Sequence, residues 1–433
     1  MEYLSILMLI SLTVLLLMGT QVAFAIGSTA LFFGLIGFGL DLFSLLPLRV
    51  WGLMTNMTLI AVPLFVLMGL ILERSGIADE LLEMMTLMFG PLRGGLAISV
   101  IIVGALLAAS TGIVGGIIVT MGLLALPTML RHHYSPEFAT GTICAAGTLG
   151  QIIPPSIVLI VLGDVMGLSV SDLFAASFLP GILLVILYII YIAILAYLRP
   201  ELSPPPIASG LSRKQLLLRV AKSVVPPAAL IIAVLGSIFF GIATPTESAS
   251  IGVLGSLILC GLHRRLRLRM LYEVMKGTMV LTCMVFMVVI GASAFGMVFI
   301  GLGGQEMVKG WLLNLPGEKA GFILTSMILI FLLGIFFEFL EISLIAVPLL
   351  VPAAQHVGVD LLWYAVLIAM NLQTAFLSPP VGASLFFLRG VAPPGVTMSH
   401  IFRGVIPFMI IQLIAVGLLI LFPQIALWLP NIK

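Results

Sequence analysis

Two Pro-Pro pairs interrupt long apolar stretches of this chain, and they are the first residues whose chemistry suggests a function. Pro154-Pro155 and Pro379-Pro380 each lie where a helix would otherwise run unbroken. Proline lacks a backbone N–H and clashes with the preceding turn, so each pair opens the helix and leaves carbonyl oxygens without their usual donors. An unpaired carbonyl cannot face lipid and must meet protein, water or a cation. Both breaks are therefore candidate cation sites.

Helical pairing predicts which oxygens lose their donors at each break. They are the carbonyls of Gly150 and Gln151 in the first half and of Ala375 and Phe376 in the second. Sodium is a hard cation that binds oxygen atoms at such breaks. The alternative is that both breaks are kinks whose oxygens are satisfied by neighbouring helices. The predicted sodium ligands are Ser110, Gly150, Ile153 and Pro155 at the first site, and Gly334, Ala375, Ser378 and Val381 at the second.

Glu338 and Glu341 are the most unusual charges, because they stand in an apolar stretch shortly before the second break. An ionisable group in a membrane segment is a functional candidate by default. These carboxylates could contribute to cation binding or relay a proton. The alternative is that both are simply solvated at a wet turn.

The composition identifies the environment. Of 433 residues, 61% are hydrophobic and only 8% are charged, whereas a soluble domain carries roughly 25% charged residues. The three cysteines fit no disulfide or metal spacing. No Ser-His-Asp, HExxH or phosphate-loop pattern is present, so neither an enzyme nor an ATPase is predicted, and nothing suggests a nucleic-acid partner. The chain is predicted to be an all-α polytopic membrane protein.

Apolar runs of about 20 residues match the hydrocarbon thickness of a bilayer and define candidate spans. Two longer stretches, 94–130 and 320–356, are interrupted near their centres, at Ala109-Ser-Thr-Gly112 and after Gly334. Their halves are too short to cross, so both are predicted to be re-entrant hairpins. The predicted spans are 4–18, 22–46, 51–72, 137–165, 173–198, 224–243, 246–262, 277–300, 361–390 and 403–430.

One offset relates the two halves of the chain. Adding 225 to Pro91, Pro127, Pro154 and Pro155 gives Pro316, Pro352, Pro379 and Pro380, and the same shift relates Gly27 to Gly252 and Gly76 to Gly301. The predicted division is a first repeat at 1–198, a linker at 199–222 and a second repeat at 223–433. The first repeat would hold scaffold helices 1–90, hairpin 94–130 and broken helix 137–165; the second would hold scaffold helices 224–300, hairpin 320–356 and broken helix 361–390.

The basic residues predict how the chain is oriented. The linker and the block His263-Arg-Arg-Leu-Arg-Leu-Arg269 are separated by an even number of spans, so they share one face, which the positive-inside rule makes cytoplasmic. Both termini are then periplasmic, and the two repeats are inverted relative to each other. Of 19 Lys and Arg residues, this leaves only Arg49, Lys309, Lys319 and Lys433 outside. Inverted repeats with paired broken helices are typical of secondary transporters.

Four segments resemble the large membrane subunit of tripartite ATP-independent periplasmic (TRAP) transporters. They are Thr140-Gly-Thr-Ile-Cys-Ala-Ala-Gly-Thr-Leu-Gly-Gln-Ile-Ile-Pro-Pro-Ser-Ile, Thr244-Pro-Thr-Glu-Ser-Ala-Ser-Ile-Gly, Gly19-Thr-Gln-Val-Ala-Phe-Ala-Ile-Gly and Asn371-Leu-Gln-Thr-Ala-Phe-Leu-Ser-Pro-Pro-Val-Gly. Together they cover both halves. The segment 140–165 and Phe386-Phe-Leu-Arg-Gly-Val-Ala-Pro-Pro394 look closest to the mannitol or chloroaromatic-compound branch of that family.

The resemblance implies a sodium-driven, elevator-type importer of a small organic acid in the bacterial inner membrane. It also implies a small membrane subunit of about four spans and a periplasmic substrate-binding protein, and no cofactor beyond the coupling sodium ions. This chain departs from the family at both hairpin tips. Ser110-Thr-Gly112 replaces a frequent Ser-Gly-Ser, Glu338 stands where Asp is usual, and Phe339 and Glu341 replace small hydroxyl residues.

An anionic substrate could be held by the positive ends of half-helices, since no span places Lys or Arg near its centre. The predicted substrate contacts are Thr111, Gly112, Thr148, Gln373 and Thr374. Two other readings stay open. One is a self-sufficient sodium- or proton-coupled organic-anion symporter without a binding protein. The other is a membrane scaffold subunit that does not transport.

Overall fold

The computed structural model describes residues 2–89, 92–112, 114–204, 213–313 and 317–432, which form helices joined by short turns. Pro91 and Pro316, used above to define the repeat, lie outside this range. The first ten helices are α1 (Glu2–Leu17), α2 (Val22–Phe38), α3 (Leu46–Met54), α4 (Ala61–Arg74), α5 (Ile77–Phe89), α6 (Gly95–Thr111), α7 (Val114–Arg131), α8 (Pro136–Thr148), α9 (Ile157–Met166) and α10 (Val170–Leu198).

The second half contains eleven described helices, and a π-helical segment, Ile342–Ala346, joins two of them, α16 and α17. They are α11 (Arg213–Phe239), α12 (Pro245–Leu262), α13 (Leu268–Gly301), α14 (Gly304–Leu313), α15 (Glu318–Phe336), α16 (Phe339–Glu341), α17 (Val347–His356), α18 (Leu361–Phe376), α19 (Ala383–Val391), α20 (Met398–Leu421) and α21 (Gln424–Ile432).

The helix lengths confirm a polytopic membrane protein. Within the described residues, eight helices are long and apolar enough to cross a membrane, and the bent pair α4–α5 would make a ninth span. The eight include α7, α15 and the helix at 339–356, so the prediction that the hairpin halves are too short to cross is wrong for these three. The angle between α4 and α5 is 60°. The bend occurs at Gly76, which has a positive φ of 69° that glycine adopts without steric cost.

Three predicted spans have wrong boundaries. The span predicted at 51–72 is interrupted between α3 and α4, where the Asn56 side chain accepts a hydrogen bond from Thr58 N at 2.9 Å and forms a local turn. The span predicted at 22–46 ends at Phe38, followed by Gly39 at φ 65°. The span predicted at 403–430 ends at Leu421, because Pro423 forces the preceding Phe422 out of the helical region.

Two further boundaries differ because hydropathy does not register polar helical turns. The predicted linker at 199–222 is shorter, since α11 begins at Arg213 and includes the basic residues that follow. Of this linker, 205–212 lies outside the described residues. The helix predicted at 277–300 begins earlier, at Leu268, so α13 is 34 residues long.

The helices of the two halves correspond at the offset of 225 residues. Shifting Val114–Arg131 by 225 gives 339–356, which spans α16 to α17, and shifting Ile157–Met166 gives 382–391, which matches α19 within one residue. The shifted bounds of α6 and α8 likewise fall on α15 and α18 within three residues. The halves differ where α3 and α4 are separate, because the corresponding region lies within the continuous helix α13.

The two helices that precede the Pro-Pro pairs lie at the centre of the molecule. Every residue from Phe138 to Thr148 in α8 is buried, as is every residue from Trp363 to Phe376 in α18. A Cβ added to Gly141 would lie 2.0 Å from the carbonyl oxygen of Gly404, so the backbones of α8 and α20 are in contact. Small residues permit this close packing between membrane helices.

Each hairpin packs against the broken helix of the other half. A Cβ on Gly115 of α7 would lie 3.2 Å from the Phe387 ring of α19, and one on Gly122 would lie 2.9 Å from Leu388. In the same way, α17 contacts α9. The hairpins and broken helices therefore form one interlocked block.

Candidate functional site

The first break is built from α8, a short 3-10 turn at Leu149–Gln151, and α9. The start of α8 is fixed by Ser135, whose hydroxyl accepts a hydrogen bond from Phe138 N at 3.1 Å, and by Pro136 in the first helical turn. The helix then unwinds from Ile152 to Ser156 and resumes at Ile157. Pro154 and Pro155 are both buried here, so the unwound backbone of the break faces protein rather than lipid.

The tip of the first hairpin lies on this break. Gly112 ends α6 with φ 60°, and a Cβ added to it would lie 3.3 Å from the Pro155 carbonyl oxygen and 3.3 Å from Ile157 N. Gly150 lies between the two arms, close to Ala108 of α6 and Ile117 of α7. The structure therefore brings together Gly112, Gly150 and Pro155. The backbone of Ser110 and Thr111 forms the last turn of α6, and their side chains lie outside the described residues.

The second break runs from Leu377 to Gly382, between α18 and α19. Asp360 begins α18 by accepting a hydrogen bond from Trp363 N at 2.9 Å. A Cβ on Gly382 would lie 2.7 Å from the carbonyl oxygens of both Phe376 and Ser378, so this backbone is tightly folded and two carbonyls converge. Only glycine fits here, a requirement that the sequence did not reveal.

Gly334 of the second hairpin packs directly on the second break. A Cβ on Gly334 would lie 2.5 Å from the Ala375 Cβ, which places α15 against the last turn of α18. Ser378 is buried, whereas Val381 is 37% exposed. Three of the predicted residues, Ala375, Ser378 and Val381, thus lie along one continuous segment, with Gly334 packed on it and Val381 at its accessible end.

Most carbonyls that were predicted to lack donors have one. Gln151 O accepts the Ser156 hydroxyl at 2.9 Å, and Phe376 O accepts the Ser384 hydroxyl at 2.6 Å. Ala375 O accepts a hydrogen bond from Ser378 N at 2.9 Å. The prediction of orphaned oxygens is therefore wrong for these three. A carbonyl has two lone pairs, so a bonded one can still coordinate a cation.

Thr148, Gln373 and Thr374, three of the predicted substrate contacts, are completely buried. The Gln373 side-chain nitrogen donates to the Thr148 hydroxyl oxygen at 3.3 Å, so two of them meet. Thr374 donates instead to Met370 O within its own helix at 3.1 Å. Gly112 belongs to the hairpin tip. Within the described residues, Thr148, Gln373 and Thr374 therefore belong to the packed interior and do not line an open cavity.

Glu338 and Glu341 line a cavity of about 490 Å³ between the second hairpin tip and the scaffold helices α2 and α13. Glu338 precedes α16, and Glu341 lies three residues later with only 6% of its surface exposed. The other cavity residues include Gln21, Phe24 and Met287. Among the described residues, neither carboxylate forms an ion pair within 4 Å. The alternative that Glu341 is simply solvated at a wet turn is therefore wrong, because its side chain is buried.

Comparisons with known proteins identify the family. The profile of the tripartite ATP-independent periplasmic transporter family, DctM component, matches residues 9–425. The C4-dicarboxylate TRAP transporter large permease protein DctM of Pseudomonas aeruginosa is 29% identical over 387 residues, covering 89% of each chain. The sialic acid TRAP transporter large permease protein SiaM of Vibrio cholerae is 29% identical over 382 residues, covering 88% of each chain.

Two further likenesses broaden the comparison. The ectoine/5-hydroxyectoine TRAP transporter large permease protein UehC of Ruegeria pomeroyi is 30% identical over 376 residues, covering 87% of this chain and 86% of that protein. Among solved structures, the Alcanivorax borkumensis YdaH transporter shares the fold, with a TM-score of 0.63, 16% identity and 90% coverage of both chains. This chain therefore belongs to the DctM component family and is the large membrane subunit of a TRAP transporter, a transport protein rather than an enzyme.

Proposed function

We propose that this chain is the sodium-coupled translocation subunit of a binding-protein-dependent importer for a small organic acid. One observation carries the proposal: each helix break is covered by a helical hairpin. Gly112 lies on the Pro155 carbonyl at the first break, and Gly334 lies on Ala375 at the second. Broken helices facing hairpins at related positions in two halves are the arrangement in which secondary transporters hold their coupling ions.

The first sodium ion would be held by backbone oxygens of Gly150, Ile153 and Pro155, with Ser110 closing from the hairpin. The second would be held near Ala375, Ser378 and Val381, with Gly334 allowing the hairpin to approach. Sodium prefers such oxygen ligands, and carbonyls at an unwound turn can converge on it without a full charge nearby. The converging oxygens of Phe376 and Ser378 support the second site.

The interlocked hairpins and broken helices would move as one block against the remaining helices, in an elevator-like cycle. Packing of α7 on α19 and of α9 on α17 supports a single moving unit. The chain would lie in the bacterial inner membrane with both termini in the periplasm, as its distribution of Lys and Arg favours.

The partners of this chain are inferred from its relatives. The relatives are named as large permeases of TRAP transporters for C4-dicarboxylates, sialic acid and ectoine, all of which carry a carboxylate group. We infer that this chain likewise works with a small membrane subunit and a periplasmic binding protein, and that its substrate is a small organic acid. The mannitol or chloroaromatic-compound branch stays a prediction.

The proposal is tested by reconstituting the chain with its small subunit in liposomes and adding the cognate binding protein loaded with labelled substrate. An inward sodium gradient is expected to drive uptake that an equal potassium gradient does not. Uptake should also vanish when the binding protein is omitted. Full uptake by this chain alone would instead establish a self-sufficient carrier, and absence of uptake by the complete, folded system would favour a scaffold role.

A second candidate, proton coupling, is favoured by the carboxylates of Glu338 and Glu341 in the cavity beside the second hairpin. It predicts uptake in the absence of sodium when the outside is acidic. In the same liposomes, Glu338→Gln and Glu341→Gln would then abolish that proton-driven uptake. Sodium dependence that both variants retain would exclude this candidate.

A further inference from the structure

A hydrogen bond joins two positions that are equivalent in the two halves. Thr148 is the last residue of α8, immediately before the first break, and Gln373 lies in the last turn of α18, before the second. They are 225 residues apart, which is the offset that relates the halves, and the Gln373 amide donates to the Thr148 oxygen at 3.3 Å. Equivalent residues that touch each other must lie near the axis between the halves.

Two more polar side chains complete this cluster. Gln412 of α20 also donates to the Thr148 oxygen, at 3.4 Å, and the Tyr188 hydroxyl of α10 lies beside Thr148 and Gln412. Shifting Tyr188 by 225 gives position 413, one residue after Gln412, so this pair is not related by the offset. All four side chains are completely buried. We call Thr148, Gln373, Gln412 and Tyr188 the polar junction.

The junction is incompletely hydrogen-bonded. The Thr148 hydroxyl donates its hydrogen to Ala145 O at 3.0 Å, so its oxygen can only accept from the two amides. Within the described residues, the side-chain oxygen of Gln373 has no hydrogen-bond partner, and the Tyr188 hydroxyl lies beside Gln412 without a bond of normal geometry. Unpaired buried polar groups destabilise a fold, and apolar residues of the same volume would pack here at lower cost. Stability alone therefore does not account for these side chains.

The position of the junction indicates what it does. Both α8 and α18 lead directly into the breaks, so a cation that orders one break also fixes the helix end beside it. The Thr148–Gln373 bond then transmits that ordering to the other helix end. Resting on the proposed sodium coupling, we propose that the polar junction couples the two cation sites, so that sodium at one break favours sodium at the other. Thr148 and Gln373 act as positioning residues that do not touch the ions.

The test measures the sodium dependence of uptake in the complete transporter, with Thr148→Val removing the hydroxyl at nearly constant volume. We expect the sodium curve to become less steep, with a Hill coefficient below that of the wild type, and the half-saturating sodium concentration to rise about five-fold or more. Thr148→Ser retains the hydroxyl and should restore the wild-type curve. Thr142→Val is the matched control, because Thr142 is equally buried on α8 but bonds only Phe138 O in its own helix, at 2.8 Å.

Gln373→Met and the double variant with Thr148→Val provide an independent measurement. Both single changes remove the same hydrogen bond, so their effects on half-saturating sodium should not add. Additive effects, or a sodium curve of unchanged steepness and midpoint in folded Thr148→Val, would overturn the coupling while leaving sodium-driven uptake intact. Wild-type uptake that does not depend on the sodium concentration would instead refute the proposed function itself.

Discussion

At each break, a serine that follows the Pro-Pro pair reaches back to the backbone before it. Ser156 bonds Gln151 O, and Ser384 bonds Phe376 O, and these two carbonyls occupy equivalent positions in the two halves. The serines themselves are not equivalent, since shifting Ser156 by 225 gives Val381. In each half the equivalent carbonyl oxygen therefore accepts a hydrogen bond from a serine, but from a serine at a different position. This bond holds the unwound backbone in place, while the rest of the break differs between the halves.

Gly112 provides the most direct test at the level of a single residue. Gly112→Ala places a Cβ in a left-handed conformation, at a cost of about 1–2 kcal/mol, and also 3.3 Å from the Pro155 oxygen. We expect a lower thermal midpoint and a several-fold higher half-saturating sodium concentration for uptake.

Gly167→Ala separates these two effects. Gly167 ends α9 with φ 66° and has no atom within 4 Å of an added Cβ. It should lose a similar amount of stability while leaving the sodium dependence unchanged. Equal sodium dependence in both variants would mean that the hairpin tip does not contribute to the first site.

Residue types alone predicted the breaks but not their hydrogen bonds. Proline chemistry is local, so the Pro-Pro pairs indicate helix disruption wherever they occur in an apolar run. The partners of Gln151 O and Phe376 O depend on the path of the chain after the break. The glycine requirement at Gly382 arises from backbone atoms that only the folded turn brings together.

The hairpins are the elements on which the proposed mechanism depends, and the two breaks that they cover differ in accessibility. Around the first break Pro154 and Pro155 are buried, whereas Pro380 and Val381 at the second are exposed. Two related elements in different surroundings are what an alternating mechanism requires, because the two sides of the membrane must be opened in turn.

Packing of α15 on α18 can be tested by filling the gap between them. Gly334→Ala would place its Cβ 2.5 Å from the Ala375 Cβ, and overpacking of this kind costs about 1–3 kcal/mol. The thermal midpoint should fall, and the half-saturating sodium concentration should rise because the hairpin is pushed off the second break.

The matched control is Gly417→Ala in α20, where an added Cβ meets no atom within 4 Å. Replacing glycine inside a helix without a clash should stabilise the protein by about 0.5–1 kcal/mol. A wild-type sodium curve for Gly334→Ala would show that close approach of this hairpin is unimportant for the second site.

The hairpins could be predicted because each long apolar stretch contains residues that interrupt a helix at its centre. The scaffold boundaries were predicted less well. The turn at Asn56 and the polar first turns of α11 and α13 carry little hydropathic signal, since local hydrogen bonds and neighbouring helices define them.

At the scale of the whole molecule, the distribution of charge predicts the orientation in the membrane. Single cysteines at Tyr3 and Asn431 should react with a membrane-impermeant maleimide on intact spheroplasts, in a background where Cys144, Cys260 and Cys283 are replaced. A cysteine at Arg264, in the basic loop between α12 and α13, should react only after permeabilisation. The opposite pattern would invert the proposed topology.

The control for this labelling is that the cysteine-free background protein still transports, because a misfolded chain would report an arbitrary orientation.

The repeat offset was visible in the sequence because glycine and proline mark helix ends at fixed places. The interlocking of the halves was not, since contacts such as Gly115 with Phe387 join residues that are 272 positions apart.

That interlocking has a consequence for how the protein is made. Chains emerge from the ribosome at about 5–20 residues per second, so Phe387 follows Gly115 by roughly 14–54 seconds. During that time the small-residue face of α7 has no α19 to cover it. The newly inserted first half therefore remains incompletely packed in the bilayer until α19 is made. A nascent chain truncated before α19 should be a preferred target for membrane quality-control proteases.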